Sequence, residues 1–112
     1  MSNSEILLES SYHPDDSSVE ILVSDPAEGD GYYGRSDGLH TVQYSYDNFI
    51  GTIRIQATIM LEPLEQDWFD VVVDEILDQS ETKIHNFVGN YVWVRAYVEF
   101  EKGYLRAIRL KS

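Results

Sequence analysis

The chain has 112 residues, 20 acidic against 8 basic side chains for a formal charge of −12, and 43 % hydrophobic residues. That is one domain with a single core, and the absence of cysteine excludes disulfides, thiolate nucleophiles and Cys-ligated zinc or iron–sulfur sites. An acidic field of this sign repels phosphate backbones and anionic lipid, so no nucleic-acid partner and no membrane-surface role is expected. No apolar run approaches the ~20 residues of a membrane span, and the N-terminus lacks the basic and apolar regions of a signal peptide. The charge is polarised: residues 1–50 sum to −9 (ten acids, Arg35), residues 51–78 to −6 (seven acids, Arg54) and residues 79–112 to +3 (three acids, six bases). This reads as a solvated acidic face, or as an acidic surface meeting the basic surface of a second copy, since complementary potentials orient subunits.

Residues 1–18 are polar and read as a flexible or extended N-terminal arm, with a short strand at Glu5–Glu9. Residues 19–112 read as a single β-sandwich domain. Val19–Val23 is a β-branched strand ended by Ser24-Asp25-Pro26. Pro26–Gly38 is a glycine-rich loop carrying the Tyr32-Tyr33 pair. Leu39–Tyr46 alternates, with His40, Val42, Tyr44 and Tyr46 on one face. Asp47–Gly51 has the length of a hairpin connection. Thr52–Met60 then alternates again, with Ile53, Ile55, Ala57 and Ile59 inward.

Leu64–Leu77 fits a helical face, but Val71-Val72-Val73 disfavours a helix because each side chain loses χ1 freedom there. We read a strand at Trp68–Val73 and a loop at Asp74–Ser80. Thr82–Phe87 is a short strand, and Tyr91–Phe100 the longest, burying Val92, Val94, Ala96, Val98 and Phe100. Lys102-Gly103 reads as a tight turn into a last strand, Tyr104–Leu110. The pattern is all-β: an antiparallel β-sandwich, jelly-roll-like, of about eight strands.

Chemistry-bearing patterns are sparse. Asp67 and Asp70 flank Trp68, but the acids are dispersed and no facing pair with a raised pKa is indicated, as glycoside hydrolysis needs. No Gly-x-Ser-x-Gly elbow is present, and Gly29-x-Gly31-x-x-Gly34 precedes no helix, so it lacks the context of a dinucleotide fingerprint. His13, His40 and His85 fall at no zinc-ligand spacing; His40 reads as a strand-end and His85 as a turn residue. Asp25, Glu28 and Asp30 place three carboxylates in a glycine-containing loop, which suits calcium, although the spacing is not that of an EF-hand and a solvated acidic loop accounts for them better. No other cofactor is indicated. The aromatic set Tyr32, Tyr33, Trp68, Tyr91, Trp93 and Tyr97, with Arg95 inside the last three, reads as an oligomer interface or as a glycan platform. Arg95 would stack on the rings or pair with an acid.

Several runs carry a family resemblance over about residues 29–110. They are Gly29-Asp30-Gly31-Tyr32-Tyr33-Gly34, Asp37-Gly38-Leu39-His40-Thr41-Val42-Gln43, Gly51-Thr52-Ile53-Arg54-Ile55-Gln56-Ala57-Thr58, Asp67-Trp68-Phe69-Asp70-Val71 and Asn86-Phe87-Val88-Gly89-Asn90-Tyr91-Val92-Trp93-Val94-Arg95-Ala96. In these the chain resembles small β-sandwich proteins of T4-like marine tailed phages. The resemblance implies a non-enzymatic virion or accessory structural protein, acting through self-association and display. Its partners would be further copies or other virion proteins, and its location the host cytoplasm during assembly and then the virion. It brings no catalytic residues. The alternative is a carbohydrate-binding β-sandwich module for host adhesion.

Overall fold

The computed structural model describes residues 4–13, 18–29 and 38–111. It is an all-β, antiparallel sandwich of eight strands: β1 (Ser4–Leu8), β2 (Ser11–Tyr12), β3 (Glu20–Val23), β4 (Ala27–Glu28), β5 (Leu39–Thr58), β6 (Phe69–Val88), β7 (Trp93–Leu105) and β8 (Ile108–Lys111). β5 is the spine. β6 runs along one side of it, from Leu39↔Val88 to Ala57↔Phe69. β7 and β8 follow one another along the other side, from Thr58↔Trp93 to Tyr46↔Leu105 and then from Gln43↔Arg109 to Thr41↔Lys111. The short strands β1 to β4 line the far side of β7 and β8.

β5 and β6 are each 20 residues long, about 66 Å if straight at ~3.3 Å per residue, yet the longest dimension of the molecule is 44 Å. The hairpin therefore bends over on itself. The bend is made by ladder irregularities between Tyr46 and Ile50 and by Asn48 and Asp78, whose φ values are +47° and +52°. Bulges of this kind add local twist and curvature. Phe49 is buried inside the bend and stacks on Phe100 with ring centroids 5.2 Å apart.

Bending turns one sheet into two layers with a shared interior. Val42, Tyr44 and Tyr46 from one arm of β5 meet Ile53, Ile55 and Ala57 from the other, with Val94, Ala96, Val98 and Phe100 of β7, Leu105, Ile108 and Leu110. The inward sets expected at 42–46, 53–57 and 94–100 are these residues, whereas Val92, expected with them, precedes β7 and is only partly buried. Leu7 of β1 joins them.

Several expectations are corrected. Asp47–Gly51 is not a hairpin turn, and Lys102-Gly103 is not one either; β5 and β7 continue without interruption through both. Gly51 serves close approach instead, since a Cβ there would press on the Glu99 carbonyl oxygen and lie 2.6 Å from Phe100 Cα. Gly103, at φ +106°, passes similarly close to Phe49. Residues 74–80 are strand, not loop, because β6 stays paired with β5 from Phe69 to Val88. His85 accordingly lies mid-strand, opposite Val42, and not in a turn, whereas His40 does stand at the start of β5, with its side chain buried. Ile59 is 67 % exposed and Thr58 buried, because the strand ends at Thr58 and its alternation ends with it. Finally, the described part of the N-terminal arm belongs to the sheet, where β1 pairs with β8 and β2 with β7.

Candidate functional site

On the face of β7 opposite Val94, Ala96 and Val98 stand Trp93, Arg95 and Tyr97, as strand alternation requires. Register brings polar side chains beside them: Gln56 of β5 faces Arg95 on one side and Asp70 of β6 on the other, and Arg54 faces Tyr97. The result is a hydrogen-bonded row across three strands. Arg95 Nε donates to Gln56 Oε1 at 2.8 Å, Gln56 Nε2 donates to Asp70 Oδ1 at 3.0 Å, and Arg54 Nη1 donates to Asp70 Oδ2 at 2.6 Å.

The segment between β5 and β6 folds down onto this row. A 3-10 turn at Glu65–Asp67 is closed by Asp67, whose carboxylate accepts the Leu64 amide at 2.8 Å. Glu65 accepts both terminal nitrogens of Arg95, at 3.2 and 2.5 Å, and the Trp68 ring lies 4.4 Å from the guanidinium carbon. The Trp93 indole N–H donates to the Leu61 carbonyl at 2.9 Å. Arg95 is thereby 7 % exposed although it points away from the core. It stacks and pairs at once, and a bidentate guanidinium–carboxylate fork fixes both partners. The hydrogen bonds from Arg95 hold the Glu65 carboxyl below its usual range.

Beside this anchor lies an open cleft of about 490 Å³ between Pro26, Leu61, Pro63, Trp68 and Trp93, with Glu65 and Arg95 in its wall. Of the residues singled out in the sequence, Trp68, Trp93 and Arg95 come together here, and Tyr97 lies on the same face beyond them. Tyr91 does not join the row. It precedes β7 and packs at the end of the sandwich against His40, Phe69 and Phe87, with centroids 5.8, 5.6 and 6.0 Å away. Tyr32, Tyr33 and Asp30 lie outside the described residues. Asp25 is exposed, Glu28 is in β4 opposite Trp93, and no group of three or more His, Asp or Glu able to hold a metal occurs among the described residues.

Gln56, Glu65 and Asp70 were not singled out by sequence as partners of Arg95. Asp70 is near Trp68 in the chain, but Gln56 meets Arg95 only through register. No protein-family model matches the chain, and neither does any curated protein. Among solved structures, a family 29 carbohydrate-binding module from Piromyces equi is similar, with a TM-score of 0.48 and 11 % identity over 97 % of this chain and 90 % of that one.

Proposed function

We propose that the protein is a non-catalytic glycan-binding module and that its site is the Trp68–Trp93–Arg95 cleft. The observation that carries this reading is the juxtaposition of two indoles with a fixed row of polar side chains. Indole faces offer flat apolar area to the C–H face of a sugar ring, and Arg95 and Glu65 in the cleft wall offer donors and acceptors to its hydroxyls. The volume suits a small ligand. Because Arg95, Gln56 and Asp70 already hold one another, little ordering remains to be done on binding. Hydrolysis is disfavoured by the same geometry. A general acid needs a raised pKa, whereas Glu65 is tied to Arg95 and lowered. The resemblance to phage proteins would place such a module where host surface glycans are met. Calorimetry against neutral oligosaccharides tests the reading: binding should vanish in Trp68→Ala and persist in Tyr12→Ala. A panel of glycans without a binder, or binding indifferent to Trp68, would dispose of it.

A second reading is an assembly subunit of a phage particle, favoured by the exposed apolar run at Ile59, Met60, Leu61 and Leu64 next to the cleft. Large apolar patches of this kind mark contact surfaces. A second copy covering this run would give an oligomer whose mass falls to that of a monomer in the Ile59→Asp/Leu61→Asp double variant. A monomer at all concentrations would remove this reading.

A further inference from the structure

The second cluster of interest lies on the other arm of the bent sheet, away from the aromatic cleft. Arg109 is flanked in β8 by the buried residues Ile108 and Leu110, so its side chain projects from the opposite face. On that face register sets it beside Gln43, and Lys111 beside Thr41. Arg106 follows the end of β7, its amide donating to the Ser45 carbonyl at 2.9 Å. Arg106 and Arg109, with Ser10, Gln43 and Ser45, wall a cleft of about 290 Å³ that no carboxylate among the described residues lines.

The pairing of these arginines is unusual for so acidic a chain. Among the described residues Arg109 makes no side-chain hydrogen bond or ion pair. Arg106 reaches Asp47 at 3.4 Å only, with both side chains about half exposed, a contact of the kind that contributes little and yields to a competing anion. Long-range repulsion from the −12 net charge is screened beyond ~10 Å at 0.1 M salt, so the two guanidinium groups dominate inside the cleft.

We propose that this cleft binds an oxyanion group, a phosphate or a carboxylate carried by a small ligand. A guanidinium fork matches either anion bidentately, and the Ser10 hydroxyl and the Gln43 amide supply further donors, beside a Ser45 hydroxyl that already pairs with Thr82 Oγ1 at 2.9 Å. The site is independent of the aromatic cleft and of the glycan reading.

The test is a titration of the full chain at ~0.1 M salt, where the net charge is screened, followed by backbone amide NMR, with inorganic phosphate, with sodium glucuronate and with glucose as the neutral control. Saturable shifts at Gln43, Ser45 and Arg109 with either anion are expected, weakening as sodium chloride is raised. Arg109→Gln should raise Kd about tenfold or more, the scale of a lost charge-assisted hydrogen bond, and Trp68→Ala should leave it unchanged. A response to phosphate alone assigns a tetrahedral anion, a response to glucuronate alone a carboxylate, and a response to both a general oxyanion site. No saturation with either anion, an equal response to glucose, or affinity unaltered in both Arg109→Gln and Arg106→Gln overturns the proposal. Both arginines are exposed, so these variants keep the core intact.

Discussion

The Tyr44 hydroxyl donates to the Asp74 carboxylate at 2.7 Å and lies 3.0 Å from His85 Nε2. Along the ladder His85 is a near neighbour of Tyr44, but Asp74 is far from it. Tyr44 faces Lys83 and Asp74 faces Ile53, so nine residues of β6 (83 − 74) separate the two positions, about 30 Å in a straight strand. The hydrogen bond exists only because the hairpin bends, and it ties one layer to the other. Tyr44→Phe should therefore lower stability by about 1–2 kcal/mol, since the bond is part-buried and its acceptor charged. A urea melt reads the change, and an unaltered midpoint would show that the layers are held by apolar packing alone.

Burial, with the Asp74 and Glu81 carboxylates nearby, pushes the Tyr46 hydroxyl up to about 12, and burial together with Asp74 drives Tyr44 higher still. Both folded-state values are raised above the unfolded value of about 10. Their contribution is thus complete below pH ~10; that of Tyr46 is lost as pH rises from there through ~12, and that of Tyr44 goes on being lost above it. Melting temperature should fall over that window, and less steeply in the Tyr44→Phe/Tyr46→Phe double variant. Equal slopes in the two proteins would assign the alkaline loss to other groups.

Gly51 sits at a close approach of β5 to β7. The methyl group of Gly51→Ala would meet backbone, the Glu99 carbonyl and Phe100 Cα, and backbone cannot swing aside as a flexible side chain can. Destabilisation of about 1–3 kcal/mol is expected, the usual range for overpacking, measured by denaturant midpoint. A variant as stable as the parent would mean that the two strands separate more easily than their ladder implies.

Val94 is fully buried between the layers. Val94→Asp would put an unpaired charge into the core, and the expected outcome is a chain without cooperative unfolding or native near-ultraviolet dichroism. A soluble, native-like Val94→Asp protein would overturn the assignment of faces on β7.

Arg95 fastens the segment 59–68 through Glu65 and Trp68. Arg95→Ala should speed amide exchange and protease cleavage in that segment while leaving β5 and β7 protected. Exchange that stays slow there would give the anchoring role to the Trp93–Leu61 hydrogen bond.

The sequence alone determined the class of fold and the faces of its strands. Alternation is a local property with a period of two, so Val42, Tyr44, Ile53, Ile55, Val94, Ala96 and Val98 could be placed inside before any pairing was known. It also singled out Trp68, Trp93 and Arg95, because large aromatics and a lone arginine on an outward face stand out locally. The tertiary structure decided where the chain reverses and what Arg95 touches. Asn48 and Gly51 carry turn chemistry, and so does the Lys102-Gly103 pair, yet all lie within continuous strands. Whether such residues close a hairpin or bend a strand depends on the strands alongside, and those come from residues 69–88 and 93–105. The cleft follows from the same cause. Gln56 and Arg95 are 39 residues apart, and only the register of β5 against β7, fixed by burying one face of each, sets them side by side.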